Sequence, residues 1–150
     1  MRIVHTRLTF ETAPREIKEI TREIAGWVES RYIVSGLLSI YLAHTSASLL
    51  IQENASPEVR ADLDAFLRRI VPEDMALYRH DDEGPDDMPA HIKAALTQVQ
   101  LTIPVIGGML QLGTWQGIFL LEHRNSPHHR SLVLTLIGEE DGAAANAPPG

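Results

Sequence analysis

The chain has 150 residues, 44% of them hydrophobic, a net charge of −7 and no cysteine. That size suits one globular domain stabilised by its own core, and the lack of cysteine excludes disulfides, zinc–thiolate sites and thiol catalysis, leaving His, Asp and Glu as the strong metal ligands. The 13 basic residues are scattered, which argues against a nucleic-acid partner. No apolar run approaches the roughly 20 residues that span a bilayer, and no basic, apolar leader opens the chain. It therefore reads as soluble and cytoplasmic, with no membrane partner.

RIVHTRLTF (2–10) alternates, with Val4, Thr6, Leu8 and Phe10 on one side and His5, Arg7 and Thr9 on the other, so a strand is expected. From Pro14 the period changes: Ile17, Ile20, Ile24, Trp27 and Val28 recur at helical spacing and predict an amphipathic helix. Ser35-Gly36 reads as a turn, followed by strands in LLSIYLAHT and SASLLIQEN. A second helix is expected at Ser56-Pro57, with Val59, Leu63, Phe66, Leu67 and Ile70 as its buried stripe and Arg60, Asp64 and Arg68 on its solvent side. Residues 72–88 read as a long loop and MPAHIKAALTQ as a short helix. VQLTIPV, TWQGIFLLEHR and RSLVLTLIGEE supply three more strands, with a hairpin turn at Asn125-Ser126-Pro127. The expected fold is a single α+β domain over residues 1–139, mainly an antiparallel β-sheet core with two amphipathic helices and one short one. Residues 140–150 are read as a flexible tail, too small and polar to pack.

Strand parity locates candidate chemistry. His44 shares a face with Leu38, Ile40 and Leu42, and Glu53 follows Leu49 and Ile51, so an imidazole and a carboxylate end two inward faces. Around residues 116–123 both faces are apolar, which predicts a central strand or an oligomer contact. HDDEGPDDMPAH (80–91) brackets five carboxylates with His80 and His91. The carboxylates alone fit a solvated acidic turn; the two histidines add the imidazole and carboxylate donor set of a transition metal, although the spacing is not that of a compact motif such as HExxH. In Gly113-Thr114-Trp115-Gln116-Gly117 the aromatic is either core or a stacking surface beside glycines that admit a ligand. His123, Arg124, His128, His129 and Arg130 read as solvated charges on a turn, with Arg130 placed to hold an anion.

HTSASLLIQEN (44–54), YRHDDEGPDDMPAHIKAAL (78–96), GTWQGIFLLEHR (113–124) and RSLVLTLIGE (130–139) together resemble the YjbQ family, also called UPF0047 or the secondary thiamine-phosphate synthase family. The resemblance implies a small α+β domain assembling as a homotrimer, with sites near subunit boundaries. It also implies a weak thiamine-phosphate synthase activity that joins a hydroxymethylpyrimidine diphosphate to a thiazole phosphate with loss of pyrophosphate. On it, we expect a divalent metal, zinc or magnesium, on His44, His80 and His91. Glu53, Asp87 and Glu122 are the expected proton-transfer or orienting carboxylates, and Thr45, Ser46, Asn54, Thr114, Trp115, Gln116 and Arg130 the contacts to a small-molecule substrate. Met109 stands where many relatives carry a basic residue. The rival expectations are a metal-dependent hydrolase of a small phosphorylated or amide metabolite, and a non-catalytic trimeric metabolite-binding module.

Overall fold

A computed structural model describes residues 1–140. Its eight strands are β1 (Arg2–Thr12), β2 (Ile17–Glu19), β3 (Ile33–Leu42), β4 (Ala47–Glu53), β5 (Gln100–Ile106), β6 (Met109–Leu110), β7 (Gln116–Glu122) and β8 (His128–Glu140), and its helices are α1 (Thr21–Glu29), α2 (Pro57–Ile70) and α3 (Asp87–Leu96). The strands form two sheets, ordered β1-β8-β3-β5-β6 and β2-β7-β4. Every pairing is antiparallel. The core joins Leu38, Ile40, Leu132, Leu134 and Leu136 of the large sheet to Leu49, Ile118 and Leu120 of the small one and to Ile24 and Val28 of α1. This is the antiparallel α+β domain expected from the pattern, with β7 central in its sheet and buried on both faces. No helix among the described residues is long and apolar enough to cross a membrane.

Several expectations need correction. The first helix begins at Thr21, not near Pro14, because Ile17, Lys18 and Glu19 pair with Leu121, Leu120 and Phe119 as β2. Three residues satisfy either period, and sheet hydrogen bonds decide the outcome. Ser35-Gly36 is not a turn but lies inside β3, with Gly36 opposite Gly138. A Cβ on Gly36 would sit 2.1 Å from the Ile137 carbonyl oxygen, so glycine serves close strand approach where the register shifts. The chain reverses instead around Tyr32, whose φ is 59°. The stripe on α2 is only half buried, with Phe66 47% and Ile70 48% exposed. Glu140 still pairs in β8, opposite Ile33, and the rest of the expected tail lies outside the described residues.

Asn125-Ser126-Pro127 is not a hairpin turn either, because β7 and β8 belong to different sheets. The chain changes sheets there and also between β3 and β4. The two crossings meet at one end of the domain: the His123 amide donates to the Ser46 carbonyl at 3.3 Å, and the Ser131 amide to His44 Nε2 at 2.9 Å.

Candidate functional site

The acidic stretch 80–91 folds over this end. Asp87 and His91 are one helical turn apart on α3 and so share a face. Asp87 is 1% exposed, and His80 returns to it from the preceding loop, where Gly84 takes a φ of 104°. His80 Nε2 lies 2.7 Å and His91 Nε2 3.2 Å from Asp87 Oδ2, while Arg124 Nη1 donates to Oδ1 at 2.7 Å. One donor atom from each of His80, Asp87 and His91 fits within 4.8 Å of the others. Arg124 also donates through Nε to Asp86 at 3.0 Å and through Nη2 to the Glu83 carbonyl at 3.0 Å, clamping the loop. Burial pushes the Asp86 carboxyl up, but the Asn125 amide and Arg124 hold it below the usual range. The loop is therefore no solvated turn at its core.

His91 has a fixed orientation. Its Nδ1 lies 2.8 Å from the Thr45 carbonyl oxygen, an acceptor only, so Nδ1 carries the hydrogen. In neutral His91 the Nε2 lone pair then faces a carboxylate oxygen. Two acceptors at 3.2 Å call for a cation or a proton between them.

His44 is not in this group. Its Nε2 is taken by the Ser131 amide, and the third donor beside the two histidines is Asp87. Burial first, then the Arg130 charge, lowers its pKa and favours the neutral ring.

Behind the cluster lies a buried ion pair. Arg130 Nε donates to Glu122 Oε2 at 2.7 Å, its Nη2 donates to Oε1 and to Ser46 Oγ, and Thr12 donates to Oε2 at 2.6 Å. Burial pushes the Glu122 carboxyl up, but hydrogen bonds from Arg130, Thr12 and the Arg124 amide outweigh it and hold the pKa low. Arg130 thus has its anion already, and Glu122 is held ionised rather than poised as a base. Ser46 serves the same pair, while Thr45 is exposed. Nearby, Ser48 Oγ and His123 Nε2 are 2.8 Å apart, and burial, with Lys93 adding to it, pulls His123 down to about 4.

Glu53, Asn54, Thr114, Trp115 and Gln116 lie elsewhere. In the β4–β7 ladder Ala47 faces Glu122 and Glu53 faces Gln116, a separation of six residues or roughly 20 Å. Glu53 accepts from the Ser56 amide at 3.2 Å, Asn54 donates its amide to the Trp115 carbonyl at 2.9 Å, and Gln116 accepts from the Gly113 amide at 2.7 Å. Trp115 is 63% exposed at a tight turn rather than part of the core. A single chain therefore holds two groups of candidate residues, not one.

Sequence reasoning missed the roles of Arg124, Asp86, Ser48 and Lys93. Arg124 reaches partners 37 and 38 residues away, which no local pattern signals. Lys93 does carry a signal, since it stands three residues after the fully buried Ala90 on the packed side of α3.

Together these features define an antiparallel α+β domain bearing a two-histidine, one-carboxylate cluster at the end where β3 passes to β4 and β7 to β8. The chain belongs to the family described as UPF0047 protein YjbQ-like, whose model matches residues 6–139. The UPF0047 protein YjbQ of Salmonella typhimurium is 48% identical over 133 residues, 88% of this chain and 96% of that protein. The UPF0047 protein sll1880 of Synechocystis is 46% identical over 132 residues, 88% of this chain and 90% of its own. Among solved structures, the conserved hypothetical protein TT1486 of Thermus thermophilus is 34% identical with a TM-score of 0.76, covering 88% of this chain and 99% of that one.

Proposed function

We propose that the protein is a cytoplasmic, divalent-metal-dependent enzyme acting on a phosphorylated small molecule, with thiamine-phosphate formation as the reaction to test first. What carries the reading is His91, whose Nδ1 is committed to Thr45 and whose Nε2 faces Asp87. His80 and His91 with Asp87 would hold the ion; two imidazoles and one carboxylate suit zinc better than magnesium, and three protein ligands leave a position for substrate. Bound there, a divalent ion supplies the positive charge that a departing pyrophosphate needs. The chain's own part is placement: Thr45 orients His91, and Arg124 fixes Asp87 through its second oxygen. Arg130 and Arg124 are neutralised by Glu122, Asp86 and Asp87, so neither offers an uncommitted charge to a phosphate.

Metal analysis of the purified protein should find about one divalent ion per chain, lost in Asp87→Ala and His91→Ala together with turnover of the two thiamine precursors. Full metal content in either variant would remove these residues from the ligand set. Metal-replete protein that binds a metabolite but converts neither the precursors nor phosphate esters would be a binding module, and ester cleavage alone would make it a hydrolase.

We also propose a homotrimer. The distance between the His80–Asp87–His91 cluster and the Trp115 turn supports it, since only a neighbouring copy can bring the two together. Mixed Trp115→Ala and Asp87→Ala chains should recover part of the activity that each lacks alone; no recovery in mixed trimers would separate the two groups functionally.

A further inference from the structure

A groove of about 590 Å³ runs from His91 along α3 to the beginning of β5, within the size range of small-molecule sites. Tyr41, Leu42, Ala94, Ala95 and Val99 give it apolar walls, and no Asp, Glu, Lys or Arg lines it. Ala94 and Ala95 are consecutive on α3, and Tyr41 leaves about half its surface, 49%, open. The polar end carries His44, whose tautomer is set by the backbone. Because Nε2 accepts the Ser131 amide hydrogen, the neutral ring carries its own hydrogen on Nδ1, which has no partner among the described residues.

We propose that this groove holds the organic body of the substrate: a flat, uncharged ring with a hydrogen-bond acceptor that takes the Nδ1 hydrogen of His44. The proposal rests on the metal reading for the location of the reacting end, but binding of the ring does not require the metal. It gives His44 a substrate-contacting role in place of metal ligation, and makes Ala95 the residue that limits the size of the ring. A charged ring is disfavoured because no Asp, Glu, Lys or Arg lines the groove to pair with it. A ring without an acceptor leaves the His44 donor unpaired, which weakens binding.

The test is an amide-resolved NMR titration with 4-aminopyrimidine, which has ring acceptors, and with aniline, which matches its size but has none. In the native protein 4-aminopyrimidine should bind more tightly than aniline by about tenfold, one hydrogen bond's worth, with saturable shifts at Thr45, Ala94 and Ala95. His44→Phe should erase the difference while leaving metal content unchanged. Ala95→Trp, at an exposed position that does not touch the core, should block both probes. His80→Ala should lose metal yet keep the ring, so failure of the metal reading and failure of this one give different results. Equal affinity for the two probes, undiminished preference in His44→Phe, loss of metal in that variant, or shifts that avoid the groove would each overturn the proposal.

Discussion

Replacing Glu122 with alanine is expected to destabilise the protein by about 3–5 kcal/mol, the usual cost of breaking a buried ion pair from one side. The reason is the partner left behind. Arg130 is 4% exposed, and beyond Glu122 it has among the described residues only the oxygens of Ser46 to accept its hydrogens. Its charge would remain buried without a counter-ion, and Thr12 would keep only its weaker bond to the His128 carbonyl at 3.2 Å. The double variant Glu122→Leu with Arg130→Met should recover much of the loss, because it removes both charges and keeps the volume. Urea unfolding of the native, single and double variants measures the coupling. Simple additivity of the two single losses would mean that the pair does not act as a unit.

Acid should weaken the fold through a different residue. His123 titrates at about 4 in the folded protein and near 6.5 when unfolded. Between those values the unfolded chain takes up a proton that the folded chain refuses. Stability is unaffected by this group above about pH 6.5 and falls as pH drops from there towards 4, by about 3 kcal/mol in all. His44 is shifted in the same direction and adds to the loss. Glu122 and Asp86, both held low, act in the more acid window, where their own protonation removes the stability they contribute. His123→Gln keeps a hydrogen-bonding group for Ser48 but has no proton to gain. Its urea midpoint should therefore fall less than the native one between about pH 7 and about pH 4.5, and parallel decline of the two would assign the acid sensitivity elsewhere.

Periodicity carries much of the fold. The alternation in β1 and β3 predicts which side chains are inside, and apolar residues on both faces of β7 mark it as central. It does not separate a three-residue strand from a first helical turn, which is why the β2 segment reads as helix. Nor does it assign strands to sheets, so a crossing between sheets looks like a hairpin.

The candidate site divides along the same line. Parity says which face a residue occupies but not which end of the sheet it reaches. His44 and Glu53 both end inward faces, yet β3 and β4 run to opposite ends of the domain. His80 and His91 are legible because they bracket one short segment, whereas Arg124 meets Asp86 and Asp87 only through the tertiary fold. The hydrogen bond that denies Nε2 of His44 to a metal comes from the backbone of Ser131, and a backbone donor leaves no trace in residue identity.

The chain passes between the two sheets at both ends of the domain, between β3 and β4 and between β7 and β8 at one and between β6 and β7 at the other. Separating the sheets would pull on continuous backbone at either end, at residues 43–46 and 123–127 beside the histidine cluster and at residues 111–115 beside Trp115. The separation of the histidine cluster from the Trp115 turn is thus held by covalent ties between the sheets at both ends of the domain.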